Sequence, residues 1–166
     1  MNNEKQKTNK ARGFVDFVIK RMQTDNGFAA AMRRADNPDT EYQSWEFLAS
    51  FNIDLGKPWE RLPYCTVGAA IAKAKPEHDG SLGLGLAIGR CYNDGNSDSQ
   101  AKAKLRRMLA CETVEEACLF LRPLLSLIAS RGVQLSYGKL LNELCYFGPE
   151  IKSIWAQNFY GSKAET

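Results

Sequence analysis

Residues 98–128 read DSQAKAKLRRMLACETVEEACLFLRPLLSLI, and their apolar residues recur at helical spacing. Asp98 stands where it can cap the first helix of this stretch. Residues 113–116 read TVEE, the form of a capping box, in which the threonine oxygen accepts the amide proton of Glu116. The apolar pattern then continues through Pro123, which we expect to kink the second helix. This stretch therefore predicts two consecutive helices and favours an all-α fold.

The residues upstream predict further helices. A first amphipathic helix is expected over residues 12–23, and a short second one ends at Asn37-Pro38. Asp39 is placed to cap a third helix. Residues 52–63 are expected to form a loop because one glycine and two prolines interrupt them. A helix should follow this loop and end near Lys75.

Glycines mark several of the remaining boundaries. Residues 80–89 read GSLGLGLAIG, which indicates a glycine-rich entry into a closely packed helix. Gly132 is suited to a left-handed helix end. Ser136 can start the next helix, and Gly148-Pro149 separates that helix from the last one.

These elements together predict an all-α fold of about eight helices, arranged as one or two bundles. No convincing alternating strand and no repeat of fixed period occurs in the sequence. The predicted organisation is a disordered tail over 1–11, a helical subdomain over 12–92, a second over 93–161, and a tail over 162–166.

Composition narrows the function classes only a little. The 166 residues are 44% apolar and 25% charged, with a net charge of +3. Such mild basicity suits nucleic-acid binding only where the positive charge is clustered. The five cysteines have no C-x-x-C spacing and no apolar leader precedes them, which indicates reduced thiols in a cytoplasmic protein. No apolar run reaches the roughly 18 residues of a membrane span.

Candidates for catalysis are weak. His78 is the sole histidine and lies in a polar segment without supporting spacing, which indicates a surface loop histidine. The glycines of residues 83–89 lack the G-x-G-x-x-G spacing of a dinucleotide loop. Glu115 and Glu116 are adjacent, so on a helix they point about 100° apart and do not converge on one substrate. We therefore expect no catalytic residue, no metal site and no cofactor.

The clearest functional signal is a cluster of positive charge. Lys102, Lys104, Arg106 and Arg107 place four cations within six residues. On a helix, Lys102 and Arg106 flank one side of the apolar stripe, while Lys104 and Arg107 flank the other. Residues 57–139 contain 12 basic and 8 acidic residues, an excess above the +3 of the whole chain. Phosphate backbone binds surfaces of this kind, but a merely solvated helix face has the same pattern, and the residues alone leave both interpretations open.

Six blocks in order resemble the CasB (Cse-type) small-subunit family of the type I-E CRISPR Cascade complex. The resemblance extends from about Phe14 to Tyr160, nearly the whole chain. The blocks are DNG at 25–27 with MRRA at 32–35, GLAIGR at 85–90, KLRRML at 104–109, LFLRPLL at 119–125, VQLSYGKLL at 133–141 and IWAQNFY at 154–160.

The resemblance implies a non-catalytic helical subunit of an antiviral effector. It implies two copies packed head to tail beside the guide-RNA-bound backbone subunits and the large subunit. It also implies binding to single-stranded DNA and crRNA backbone without sequence preference, which stabilises the R-loop by holding the displaced strand. The predicted nucleic-acid-binding residues are Arg33, Arg34, Arg90, Lys102, Lys104, Arg106, Arg107, Arg122 and Lys139. The alternatives are a helical protein–protein adaptor with a solvated basic face and, third, a helical nuclease.

Overall fold

The computed structural model describes residues 2–162, which form nine α-helices and two short 3₁₀ helices. The predicted all-α class is confirmed, with one helix more than the expected eight or so. The α-helices are α1 (Asn2–Met22), α2 (Asn26–Arg33), α3 (Trp45–Ser50), α4 (Pro58–Ala74), α5 (Leu84–Arg90), α6 (Ser99–Leu109), α7 (Val114–Ser130), α8 (Tyr137–Cys145) and α9 (Pro149–Tyr160). The 3₁₀ helices are Glu41–Ser44 and Gly95–Ser97.

The predicted disordered tail over residues 1–11 is wrong for the residues that the structure describes, because α1 begins at Asn2. Tertiary contacts stabilise this first part of the helix. Ala11 is fully buried, and the Lys10 ammonium donates to the Asn52 carbonyl at 2.8 Å. The Lys7 ammonium lies 5.3 Å from the centre of the Tyr146 ring. Polar composition alone was therefore insufficient to predict where this helix begins. Met1 and residues 163–166 of the predicted tails lie outside the described part of the chain.

Two further local predictions are corrected. The expected loop over residues 52–63 ends early, because α4 begins at Pro58 and contains Pro63. A proline at the first helical position costs no hydrogen bond, and Pro63 frees only the carbonyl of Trp59, an exposed residue. Asp39 caps no helix: its backbone N–H donates to the Asn37 side chain at 3.0 Å, and a 3₁₀ helix follows.

The predicted helix boundaries in the last third of the chain are confirmed. The Asp98 carboxylate accepts two backbone N–H groups of α6, at 2.8 and 3.0 Å. The Thr113 hydroxyl accepts the Glu116 N–H at 3.2 Å, as the capping box predicted. Ser136 caps α8 in the same way, and Gly132 has the left-handed φ of +69°. Each of these signals depends only on residues a few positions away in the chain. The sequence can therefore predict them without knowing how the helices pack.

The helices enclose one hydrophobic core. Helix α4 lies at its centre and packs against α7, α2, α8 and α1, while α1 also packs on α8 and α5 on α9. The glycine-rich entry to α5 is as closely packed as predicted: a Cβ on Gly85 would lie 2.3 Å from the Trp155 carbonyl oxygen. The proposed boundary between subdomains at residues 92–93 stays a prediction.

Candidate nucleic-acid interface

Helix α6 presents the central group of predicted cations. Its buried side chains are those of Ala101, Leu105 and Met108, which pack into the core. The four basic residues therefore lie on the remaining surface, with Arg106 and Arg107 exposed and Lys102 and Lys104 half-buried. Cations in the last turn also suit the negative end of the helix dipole. The helix thus turns an apolar stripe inward and a cationic surface outward, as its sequence predicted.

Phe120 of α7 contacts one of these cations. The Arg107 guanidinium carbon lies 4.1 Å from the centre of the Phe120 ring, well within the range of a cation–π interaction. The two side chains, with Lys104 and Pro123, line a small surface cavity of about 130 Å³. The ring restricts the guanidinium without neutralising it, so the charge stays available to a phosphate.

Two other helices add cations near α6. Burial raises the pKa of the Cys91 thiol, and Arg131 and Lys104 oppose that rise, so both lie within electrostatic range of this sulfur. Burial likewise raises the pKa of Cys111, and Lys152 and Arg107 oppose it. Arg131 is the C-cap residue that follows α7, and Lys152 lies on α9. The predicted site included neither residue; Lys152 is the single basic residue of α9, so no cluster of positive charge marks it in the sequence.

Arg33 and Arg34 lie together at the end of α2. Arg33 is the last helical residue and is half-buried, whereas Arg34 is exposed. The Arg34 Nη1 donates to Gln43 Oε1 at 3.2 Å, a neutral partner. Neither arginine has a carboxylate partner within the described residues, and the pair lies at the end of α2 and not on α6.

The other predicted residues lie on three further elements. Arg90 ends α5, is exposed, and lines a cavity of about 690 Å³ with Asp94 and Asn96. Lys139 lies in the first turn of α8, is exposed, and shares a cavity of about 390 Å³ with Arg12 and two aspartates. Arg122 is half-buried between α4 and α7. Thus Lys104 and Arg107 meet in one cavity, and a continuous track through all nine residues stays a prediction.

The ion pairs divide the basic residues into two classes. Within residues 2–162, five are formed, by Lys10, Arg21, Lys57, Arg61 and Lys73 with nearby carboxylates. None of these five cations belongs to the predicted site. Arg90 interacts with a neighbouring group, so it is not counted with the other predicted residues. The other predicted site residues have no ion-pair partner in the described part of the chain, and they are Arg33, Arg34, Lys102, Lys104, Arg106, Arg107, Arg122 and Lys139.

Residues 29–160 match the family model described as CRISPR-associated protein Cse2. The chain belongs to the Cse2 family. This confirms the resemblance that the ordered sequence blocks predicted. A comparison with curated protein sequences finds no match.

Solved structures share the fold of this Cse2-family chain. A chain of a "CRISPR RNA-guided surveillance complex" aligns with a TM-score of 0.76 over 93% of this chain and 94% of that chain, at 18% identity. A Cse2-family protein from Thermus thermophilus aligns with a TM-score of 0.73 over 92% and 98%, at 21% identity. CasB from Thermobifida fusca aligns with a TM-score of 0.64 over 95% and 97%, at 15% identity.

Side chains that could support catalysis are poorly placed in this Cse2-family fold. His78 is exposed and forms no side-chain hydrogen bond within residues 2–162. Burial raises the pKa of Cys118 to about 12 and raises that of Cys65 as well, so both thiols are protonated at neutral pH. No group of three His, Cys, Asp or Glu side chains in the described part could hold a metal ion. Nor is any helix there long and apolar enough to cross a membrane.

Proposed function

We propose that this Cse2-family protein is a non-catalytic, cytoplasmic subunit of a type I-E CRISPR effector that binds nucleic-acid backbone without sequence specificity. Its partners are the guide-RNA-bound backbone subunits, the large subunit and a second copy of itself. The observation that carries the proposal is the set of site cations without an ion-pair partner. Cations that carboxylates do not neutralise are the ones that can replace condensed counterions on phosphate.

The proposed action is to hold the displaced DNA strand and so stabilise the R-loop. R-loop formation is nearly balanced in free energy, so a few protein–phosphate contacts can shift it. Arg106 and Arg107 suit this action because both are exposed in the last turn of α6. Guanidinium groups also form bidentate hydrogen bonds with phosphate oxygens.

The test compares two variants that each remove two positive charges. In the first, Arg106→Ala and Arg107→Ala are combined; in the control, Lys57→Ala and Lys73→Ala remove cations that already form ion pairs with Asp54 and Asp36. R-loop stability of the assembled complex is measured over a salt series. The first variant should lower the slope against log salt by about 0.7 per lost single-strand contact. Equal slopes for the wild type and the first variant would contradict the proposal.

A second candidate function is a protein–protein adaptor. Large apolar side chains are exposed on several elements, among them Trp59 at 57% and Leu119 at 56%, and an adaptor would use such side chains as its contacts. An adaptor with a solvated basic face predicts no salt-sensitive binding to a single strand at low salt. A fluorescence anisotropy titration separates the two functions.

A further inference from the structure

Helix α7 presents an exposed apolar strip beside the cations of α6. Leu119 is 56% exposed, and Pro123, one turn later on the same side of α7, is exposed as well. Pro123 also lines the cavity of about 130 Å³ to which Lys104 and Arg107 belong. The apolar strip, formed by Leu119 and Pro123, therefore borders the predicted nucleic-acid interface, although neither residue is among the predicted site residues.

The cavity beside the strip has an apolar floor. Met108 and Leu124 line it and are buried in the core. The half-buried Phe120 ring lies against the Arg107 guanidinium, which restricts this cation at the edge of the cavity. A ligand at the seam between the two helices therefore meets positive charge on α6 and apolar surface on α7.

The charges of the two helices give a bound strand one orientation. On α6, Lys104, Arg106 and Arg107 have no carboxylate partner within the described residues, so they attract phosphates. On α7, the Glu115 carboxyl lies one turn before Leu119 on the same side of the helix. This carboxylate repels phosphates from the strip. A strand that places its backbone on α6 therefore turns its bases towards α7.

A surface that binds phosphates alone does not favour a single strand over a duplex. Duplex DNA has the higher charge density, with about one phosphate per 1.7 Å of helix axis, and it releases more counterions per contact. The faces of its bases are stacked on one another, however, whereas an unpaired strand has base faces that can contact a protein. An apolar strip next to the cations can therefore distinguish the two forms of nucleic acid.

We propose that Leu119 and Pro123 contact the bases of single-stranded nucleic acid, so that the α6 interface prefers an unpaired strand to a duplex. The proposal rests on the proposed function, because the cations of α6 supply the phosphate contacts. Leu119 is the specificity-determining residue, since it has the larger side chain and more than half of its surface is uncovered. The contact is apolar and reads no base edges, so it selects unpaired strands without sequence preference.

The test measures the affinities of three DNA ligands of equal length by fluorescence anisotropy at several salt concentrations. The ligands are a single strand, an abasic strand with the same number of phosphates, and a duplex. The wild type should bind the ordinary strand about three- to tenfold more tightly than the abasic strand, as expected from covering about half of a leucine side chain. The salt slopes of these two strands should agree, because their phosphates are equal in number. Equal affinities for the two strands would overturn the proposal.

Leu119→Ser should remove most of the preference for the ordinary strand and lower the ratio of single-strand to duplex affinity by the same factor. Its salt slopes should match those of the wild type, since no charge changes. Ile154→Ser is the matched control because it alters an exposed apolar side chain on α9, and it should bind all three ligands as the wild type does. A preference that survives in Leu119→Ser, or an equal loss in both variants, would overturn the role of Leu119.

The outcomes separate this proposal from the proposed function. If no ligand shows salt-sensitive binding, the proposed function and the base contacts are both overturned. Salt-sensitive binding with equal affinities for the ordinary and the abasic strand would overturn the base contacts alone. If Leu119→Ser binds every ligand as the wild type does but impairs assembly of the effector complex, the strip contacts a protein partner and the proposal is overturned.

Discussion

Phe120 determines how the Arg107 guanidinium is presented to a ligand. The ring lies 4.1 Å from the guanidinium carbon and belongs to α7, whereas the arginine belongs to α6. A guanidinium restricted by a ring loses less conformational entropy when it binds a phosphate. Phe120 is therefore expected to position Arg107 without contacting the nucleic acid.

Replacing Phe120 with leucine should weaken single-strand binding without changing its salt dependence. A surface cation–π contact contributes about 0.5–1 kcal/mol, which corresponds to about a two- to fivefold loss of affinity. The slope against salt should stay the same because no charge is removed. Anisotropy titrations at several salt concentrations measure both quantities. Phe120→Tyr keeps the ring and should bind as the wild type does; a loss in this variant equal to that of Phe120→Leu would refute the positioning role.

Glu143 is a carboxyl whose environment opposes its charge. It is 6% exposed, and burial raises its pKa from the ordinary value of 4.5. The nearby Trp155 indole and the Lys139 ammonium offset part of this rise. One of its oxygens, Oε1, has no hydrogen-bond partner within residues 2–162. A raised pKa means that the folded state favours the protonated acid.

The pH dependence of Glu143→Gln follows from this direction. Below pH 4.5 the acid is protonated in both the folded and the unfolded state, so its shifted pKa costs nothing. As pH rises through the folded pKa, the wild type loses stability that the glutamine variant keeps. The variant should gain in relative free energy of unfolding as pH rises from 4.5 towards neutrality, measured by urea denaturation. A difference between the two proteins that stays constant with pH would contradict this account.

At the scale of elements, the crossing of α5 and α9 depends on one glycine. A Cβ on Gly85 would lie 2.3 Å from the Trp155 carbonyl oxygen and 2.9 Å from the Phe159 nitrogen. Both are backbone atoms, which cannot move aside as the end of a side chain can. The two helices therefore approach to a distance that no residue with a Cβ allows.

Gly85→Ala should destabilise the protein by about 3 kcal/mol or more, because overpacking here forces the helices apart. Gly13→Ala is the matched control. Gly13 lies in α1, is exposed, and has nothing within 4 Å of an added Cβ. It should stabilise the protein by about 0.5–1 kcal/mol, since alanine favours a helix over glycine. Equal effects of the two substitutions on urea denaturation would contradict the close packing.

The boundaries of elements show which sequence signals can be interpreted locally. Asp98 and Thr113 cap the helices that directly follow them, because a cap needs only the next two or three backbone N–H groups. The start of α8 has a second cap that no local pattern predicts. The Asp79 carboxylate, far upstream, accepts the N–H groups of Tyr137 and Gly138 at 2.7 and 3.0 Å.

At the scale of the whole molecule, the shared core predicts a single unfolding transition. Helix α4 packs against α7 and α8, and α5 packs against α9, so the two predicted subdomains share buried surface. Circular dichroism reports the helices and tryptophan fluorescence reports the buried Trp155. The two should give coincident urea curves. Separate midpoints, or an isolated 93–161 fragment with native-like helicity, would show that the subdomains fold independently.

The sequence alone determined the all-α class, the amphipathic stripes, most caps of the last third and the family, because these depend on residues a few positions apart or on ordered blocks. The tertiary structure decided which cations have a carboxylate partner. Lys57 and its partner Asp54 are neighbours in the chain, but Arg61 is neutralised by Glu41 and Lys73 by Asp36, across loops and between elements. The contact of Arg107 with Phe120 and the enclosure of Arg122 also depend on helix packing. Charge can be counted along a chain, whereas its neutralisation depends on distances that exist only after folding.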